Sequence, residues 1–153
     1  MGNEFGHPEW VDFPRAGNNF SHHYSRRRWD LVDDKTLRYH LLLEFDIAMH
    51  KLESQVGWLN SKHQYITLMH EKDKLIAFEK GDLLFIFNFH PHKSFENYRI
   101  GTKWATEHLI LLDTDDSDFG GKDRLKYGHE HYFPIIKDPW MNRPNFIQLY
   151  IPS

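Results

Sequence analysis

Hydrophobic and polar residues alternate with two different periods along this chain, and the switch between them divides it. Leu37, Leu41, Phe45, Ala48 and Leu52 recur at spacings of four, four, three and four. That recurrence puts them on one side of an α-helix. Leu42 and Met49 widen the stripe, while Arg38, Glu44 and Lys51 fall outside it. Asp33 or Asp34 is placed to cap the first turn, because a short carboxylate accepts hydrogen bonds from its free N–H groups. A second, short helix is expected at residues 56–59, ended by Asn60 and Ser61.

From about Lys62 the period shortens. Residues 64–70, 75–80 and 83–90 are brief runs rich in branched and aromatic side chains. The polar stretch 71–74 and the Gly81-Asp82 pair separate them, and both suit tight turns. In the third run Leu83, Phe85, Phe87 and Phe89 share one face, and Leu84, Ile86, Asn88 and His90 the other. Apolar residues at nearly every position predict a central strand buried on both sides, with Phe85 and Phe87 packed between sheets. Residues 95–100, 108–112 and 146–150 are further strands, and 132–136 is a less regular one. Short strands joined by turns, with no helix between them, predict an antiparallel β-sandwich and a mainly β chain. The boundary falls near residues 57–62, which gives regions 1–61 and 62–153.

Composition narrows the class of protein. The 153 residues are 40% hydrophobic and 16% aromatic, enough to build a core. A net charge of −3 offers no general attraction to nucleic acid or acidic membranes. Arg26, Arg27 and Arg28 stand beside Trp29, Asp30, Asp33 and Asp34, which reads as a salt-bridged surface rather than a nucleic-acid face. There is no cysteine, so disulfides and thiolate zinc sites are excluded. The apolar runs are too short to span a bilayer, and no membrane partner is expected. The sequon at Asn19 is expected to be unused in a cytosolic protein.

Residues 1–19 are unlike an ordinary frayed terminus. Two glycines, two prolines and three aromatics crowd the first fourteen positions. Gly2 and Gly6 permit turns, and Pro8 and Pro14 stiffen the loop. Such a loop suits presenting Asn3, Glu4, His7, Glu9 and Trp10, or it is simply an ordered surface loop.

This opening run resembles the one that closes the catalytic barrel of 1,4-α-glucan (glycogen or starch) branching enzymes, members of the α-amylase superfamily. The likeness continues through Arg26, Arg27 and Trp29, the helix at 37–49, and residues 78–91, where only conservative exchanges occur. Tyr98 to Gly101, the acidic loop 112–121 and Asn142 to Asn145 fit in the same order. Residues 102–107 and 122–127 follow the pattern poorly, and 128–140 only in part; these are expected to be variable loops.

The resemblance implies that residues 1–61 are the last loop and helix of a (β/α)8 barrel and 62–153 an all-β C-terminal domain. The helix stripe would then face strands this chain does not contain, and Met1 would be an internal residue. Targeting is then unreadable here. The implied setting is the cytosol, or a plastid for a plant starch enzyme, with no metal or organic cofactor. The retaining route of such an enzyme needs a carboxylate nucleophile and a carboxylic acid about 5–5.5 Å apart. None of the family's short catalytic motifs is present, so no residue is assigned a catalytic role.

What the chain contributes on this reading is a barrel-mouth loop, since active sites of such barrels lie at the C-terminal ends of the strands. Trp10 offers a flat face to a sugar ring, Asn3 and Glu4 hydrogen-bond hydroxyls, and His7 extends the same surface. The other reading is that these four residues only fasten the loop. A second functional class also stands: a non-catalytic β module that binds glucan or serves as a packing partner. His90 with His92, and His129 with His131, are each two apart, but neither pair has a third ligand at a persuasive spacing, so no metal is assigned.

Overall fold

The computed structural model describes residues 2–125 and 132–153, with Tyr132 described by its backbone alone. An irregular segment opens the chain, followed by one helical turn, α1 (Asp30–Asp33), and a long helix, α2 (Tyr39–Val56). Seven strands follow: β1 (Gln64–His70), β2 (Leu75–Lys80), β3 (Leu83–Asn88), β4 (Phe95–Thr102), β5 (His108–Leu109), β6 (Tyr132–Phe133) and β7 (Asn145–Ile151). Among the described residues every pairing is antiparallel: a β1-β2-β3 meander, a β4-β7 pair and a β5-β6 pair.

One core joins the three sheets. Leu68, Leu75 and Ala77 from the meander meet Phe95, Ile100, Phe133, Ile147 and Ile151 from the others, with Leu84 and Ile86 packed alongside. Mostly antiparallel β layers over one shared core agree with the mainly β expectation.

Two irregularities set which side chains face inward. β1 shifts register between Ile66 and Leu68, so Thr67 and Leu68 are both buried while Ile66 turns outward. β4 shifts between Phe95 and Tyr98, which lets residues of opposite parity, Phe95 and Ile100, both reach the core. A bulge inserts one residue and re-aims the strand beyond it, so strict alternation in the sequence misses the change.

The expected central strand is corrected. Among the described residues β2, not β3, lies in the middle of the meander. Leu75, Ala77 and Glu79 of β2 are fully buried, whereas Phe87 is 40% exposed and Phe89 64%. The outer face of β3 is a row of stacked rings: Phe78 lies 5.0 Å from Phe85 and 5.8 Å from Phe87, and Phe87 lies 5.9 Å from Phe89. The rings pack on one another rather than between sheets, so the run is apolar at nearly every position without being enclosed.

The helix also differs from its expectation at both ends. α2 begins at Tyr39, and Arg38 at its cap makes no side-chain capping bond. Asp34 is used earlier, where its carboxylate accepts from Thr36 N and Oγ1 at 2.9 and 2.7 Å. That local turn competes with the helix for the same residue, which is why α2 starts later. At the other end no second helix forms at 56–59. α2 runs through Val56 and stops at Gly57, whose N–H donates to Glu53 O at 2.7 Å. Trp58 is then buried against Phe85, ring centres 5.7 Å apart, and ties the helix end to the meander. No side chain of α2 is buried.

The strands at 108–112 and 132–136 are shorter than expected, two residues each, with Ile136 bridging separately to Phe146. The strand at 95–100 continues to Thr102, and the last one covers Asn145–Ile151.

Candidate functional site: the opening loop

The opening loop is built around one buried ring. Gly2 has φ +88°, and a Cβ there would stand 2.3 Å from His7 Cβ, so only glycine fits. His7 N–H donates to Gly2 O at 2.9 Å and Gly6 N–H to Asn3 O at 3.3 Å, closing a tight double turn. The turn drives Phe5 inward, where it is 1% exposed and its ring lies 5.0 Å from Trp29. With Phe5 as the plug, Asn3 and Trp10 face solvent, and Trp10 is 78% exposed.

Two members of the arginine triplet, Arg27 and Arg28, fasten this loop. Arg27 pairs with Glu4, and its guanidinium lies 4.9 Å from the Trp29 ring centre. Arg28 pairs with both Glu9 and Asp30. Arg15 does the same for Asp12, at 3.1 Å. A salt-bridged surface is thus the role these arginines play, with Glu4 and Glu9 as partners beside Asp30.

These contacts shape the electrostatics. The Glu4 carboxyl is held below its ordinary 4.5, first by its own backbone N–H; burial opposes this, and the hydrogen bond and charge of Arg27 add to the lowering. Asp12 lies below its ordinary 3.8 because Arg15 and Asn18 donate to it. Asp30 is lowered chiefly by the hydrogen bond from Arg28. A general acid needs a raised pKa, and a retaining glycosidase pair needs two facing carboxyls. Glu4, Asp12 and Asp30 are instead held as carboxylates by cations or amides.

Of the four residues expected to meet a ligand, Asn3 and Trp10 are presented to solvent and Glu4 is half-buried on Arg27. His7 is also half-buried; its Nδ1 donates to Glu9 O at 3.0 Å. The four therefore share one loop but not one posture. The sequence reading missed Phe5 as the plug. The signal was present in hindsight: a lone aromatic flanked by Gly2 and Gly6, which free the backbone to turn it inward.

A second polar cluster also went unread. Glu79 on β2 is fully buried and accepts from Arg143, from His63 Nε2 at 2.9 Å and from Lys103 N at 2.9 Å. It ties the segment before β1, the end of β4 and the turn before β7. Among the described residues no three His, Asp or Glu are grouped to hold a metal ion. His90 uses Nδ1 to accept from the backbone N–H groups of His92 and Lys93, at 3.2 and 2.9 Å. His129 and His131 lie outside the described residues.

Antiparallel β layers over one core, preceded by a helix and a fastened loop, define an all-β domain with a helical segment before it. Residues 65–153 match the model of the α-amylase C-terminal all-β domain, and the chain belongs to that family. Over 151 residues it is 56% identical to a 1,4-α-glucan-branching enzyme of Rhizophagus irregularis. It is 53% identical over 153 residues to one from Dictyostelium discoideum and 50% over 155 residues to one from Equus caballus. These alignments take in 99–100% of this chain and 22% of each relative. The chain thus spans about a fifth of the length of the curated relatives it matches. The matched part is their C-terminal region. No described helix is long and apolar enough to cross a membrane.

Proposed function

We propose that this chain is the C-terminal part of a 1,4-α-glucan branching enzyme, which moves α-1,4-glucan segments to a 6-hydroxyl and so makes the α-1,6 branches of glycogen or starch. The carrying observation is that similarity to the branching enzymes runs through the whole chain, opening loop and helix included, at 49–56% identity. On this reading residues 1–61 complete a (β/α)8 barrel and 62–153 form the accessory sandwich. The helix supports it: α2 leaves Leu42 and Ile47 exposed and buries none of its eighteen residues. Apolar side chains left partly in water along a helix of that length ordinarily meet a partner surface. The barrel of the parent enzyme is that partner.

Within the parent, the opening loop meets the glucan: Trp10 stacks on a sugar ring, Asn3 and Glu4 take hydroxyls, and His7 braces the turn. Glu4 is well suited to the task because Arg27 orients its carboxylate. The nucleophile and the acid are supplied by the barrel, so the chain alone performs no transfer. The setting is the cytosol, or a plastid if the parent makes starch.

The test is an exchange of parts. Substituting this chain for the corresponding region of the Rhizophagus irregularis enzyme is expected to leave a working enzyme, scored as new α-1,6 linkages released by debranching of amylose. The isolated chain is expected to give none above the blank. A chimera that folds, by its circular dichroism and melting, yet makes no branches would overturn the reading, as would branching by the isolated chain.

A further inference from the structure

We propose that the acidic turn at residues 116–121 is the positioning element for the opening loop, acting through α2; the inference rests on reading that loop as the glucan-facing one. The turn belongs to the β region yet its tip lies on the helix. The Phe119 ring meets Phe45 edge to face, centres 5.4 Å apart. Arg38 Nη2 donates to Gly120 O at 3.4 Å. Gly120 has φ +78°, and a Cβ there would come within 2.6 Å of Leu41 Cδ1. The positive φ favours glycine here, and any larger residue would have to push the Leu41 side chain aside.

The turn is itself rigidly mounted. Ser117–Phe119 form a 3-10 turn closed by Gly120 N–H to Ser117 O at 2.9 Å, and Asp116 caps it by accepting from Asp118 N at 2.9 Å. Just before it, the buried Asp115 carboxylate accepts from Arg124 Nε and Nη2 at 3.0 and 2.8 Å. Arg124 Nη2 also donates to Ser153 O at 2.6 Å, beyond the end of β7. The grip on the helix is thus anchored in the β region by two guanidinium N–H groups that converge on Asp115 Oδ1, while the Arg124 backbone N–H donates to Oδ2 at 2.6 Å.

On the helix, Leu41 and Leu42 are consecutive, so they point about 100° apart around its axis. Leu41 touches the acidic turn. Leu42 Cδ2 lies 3.3 Å from where a Cβ on Gly6 would stand, against the opening loop. One turn of α2 is therefore held between the sandwich on one side and the loop on the other. A second connection runs from α2 through the neighbouring α1 to Trp29, at the start of α1, and so to Phe5. The opening loop's own bonds run to residues 24–28, through Tyr24 O, Arg27 and Arg28. With no α2 side chain buried, lateral contacts of this kind decide where the helix sits, and with it the surface bearing Asn3, Glu4 and Trp10. Phe119 and Gly120 are positioning residues: they touch α2, not the ligand.

The experiment is residue-resolved amide exchange on the 153-residue chain and two variants, Phe119→Ala and Gly120→Ala. Gly120→Ala pushes Leu41 aside without deleting a ring, so the result does not depend on one variant's folding. The expected result is faster exchange at Phe5, Gly6 and His7, by up to about tenfold, the scale of one lost aromatic contact. Exchange at Ala77, Ile100 and Ile147 should be unchanged, and Phe119→Leu should restore most of the protection. Retention of the chain in a glycogen-containing native gel should fall in parallel. The proposal is overturned if exchange at Phe5, Gly6 and His7 stays within about twofold of the parent in both variants, or if those amides are already unprotected in the parent. If exchange rises while glycogen retention holds, positioning stands and the glucan-facing reading of the loop is what fails.

Discussion

The two regions of this chain are held together by different physics. From β1 onward, eight buried apolar side chains drawn from five strands close one core, so each strand is stabilised by residues distant in sequence. Among the described residues before Trp58, Phe5 and Val32 alone are buried hydrophobics, and order comes from ion pairs, tight turns and the docking of α2. Exposed ion pairs are each worth about 0–1 kcal/mol, whereas burying one large apolar side chain contributes about 1.5–3 kcal/mol. A region of the first kind keeps its shape alone. One of the second kind takes its shape from its neighbours, which suits a segment that completes a larger barrel.

The sharpest way to break this contrast is at Glu79, the one buried carboxylate of β2. Glu79→Ala removes the acceptor for Arg143, His63 and Lys103 N and strands a guanidinium whose side chain is 14% exposed. The expected loss is about 3–5 kcal/mol, read from the denaturant midpoint. A loss below about 1 kcal/mol would mean that the sandwich is not locked by this cluster.

A pair of substitutions sharpens the comparison within the sandwich. Ile100→Ala, at a fully buried position, is expected to cost about 2–5 kcal/mol. Phe87→Ala, on the outer ring stack, is expected to cost about 0.5–1.5 kcal/mol, the scale of an aromatic pair. Equal losses would show that the outer face of the meander is enclosed in solution, by self-association or by a partner.

The smallest effect expected is on pH. Burial holds the His108 imidazole below its ordinary 6.5, despite an opposing bond from Nδ1–H to Thr106 O and the attraction of Glu79. The folded state therefore binds this proton less readily than the unfolded one. The contribution is complete above 6.5 and is lost as pH falls through the lowered folded value. A histidine C2–H titration by NMR should place the midpoint below 6.5; a midpoint at or above it would put His108 in water.

Much of this was readable in advance, and the failures have physical causes. The second strand is legible because Leu75, Ala77 and Glu79 alternate with Ile76, Phe78 and Lys80, and its pairing with β3 keeps that period without a bulge. The first is legible in extent but not in facing, because its register shifts between Ile66 and Leu68. β3 was misread because stacked outward rings and a doubly buried strand produce the same apolar run. The late start of α2 follows from Asp34 closing a local turn with Thr36, a contest between two uses of one carboxylate that periodicity does not settle. Of the loop residues, Trp10 was legible as a presented ring; the pairing of Glu4 with Arg27, twenty-three positions away, was not.

By itself, the sequence determined what depends on neighbours along the chain: the helix stripe, the period of β2 and, through its motifs, the family. Only the tertiary structure decided which face of each strand is inside, which strand is central, that Phe5 plugs its loop and that the 116–121 turn grips α2. Period and propensity are local quantities, whereas burial is a property of what arrives on the other side, and that is set by segments distant in sequence, 82 residues apart for Arg38 and Gly120.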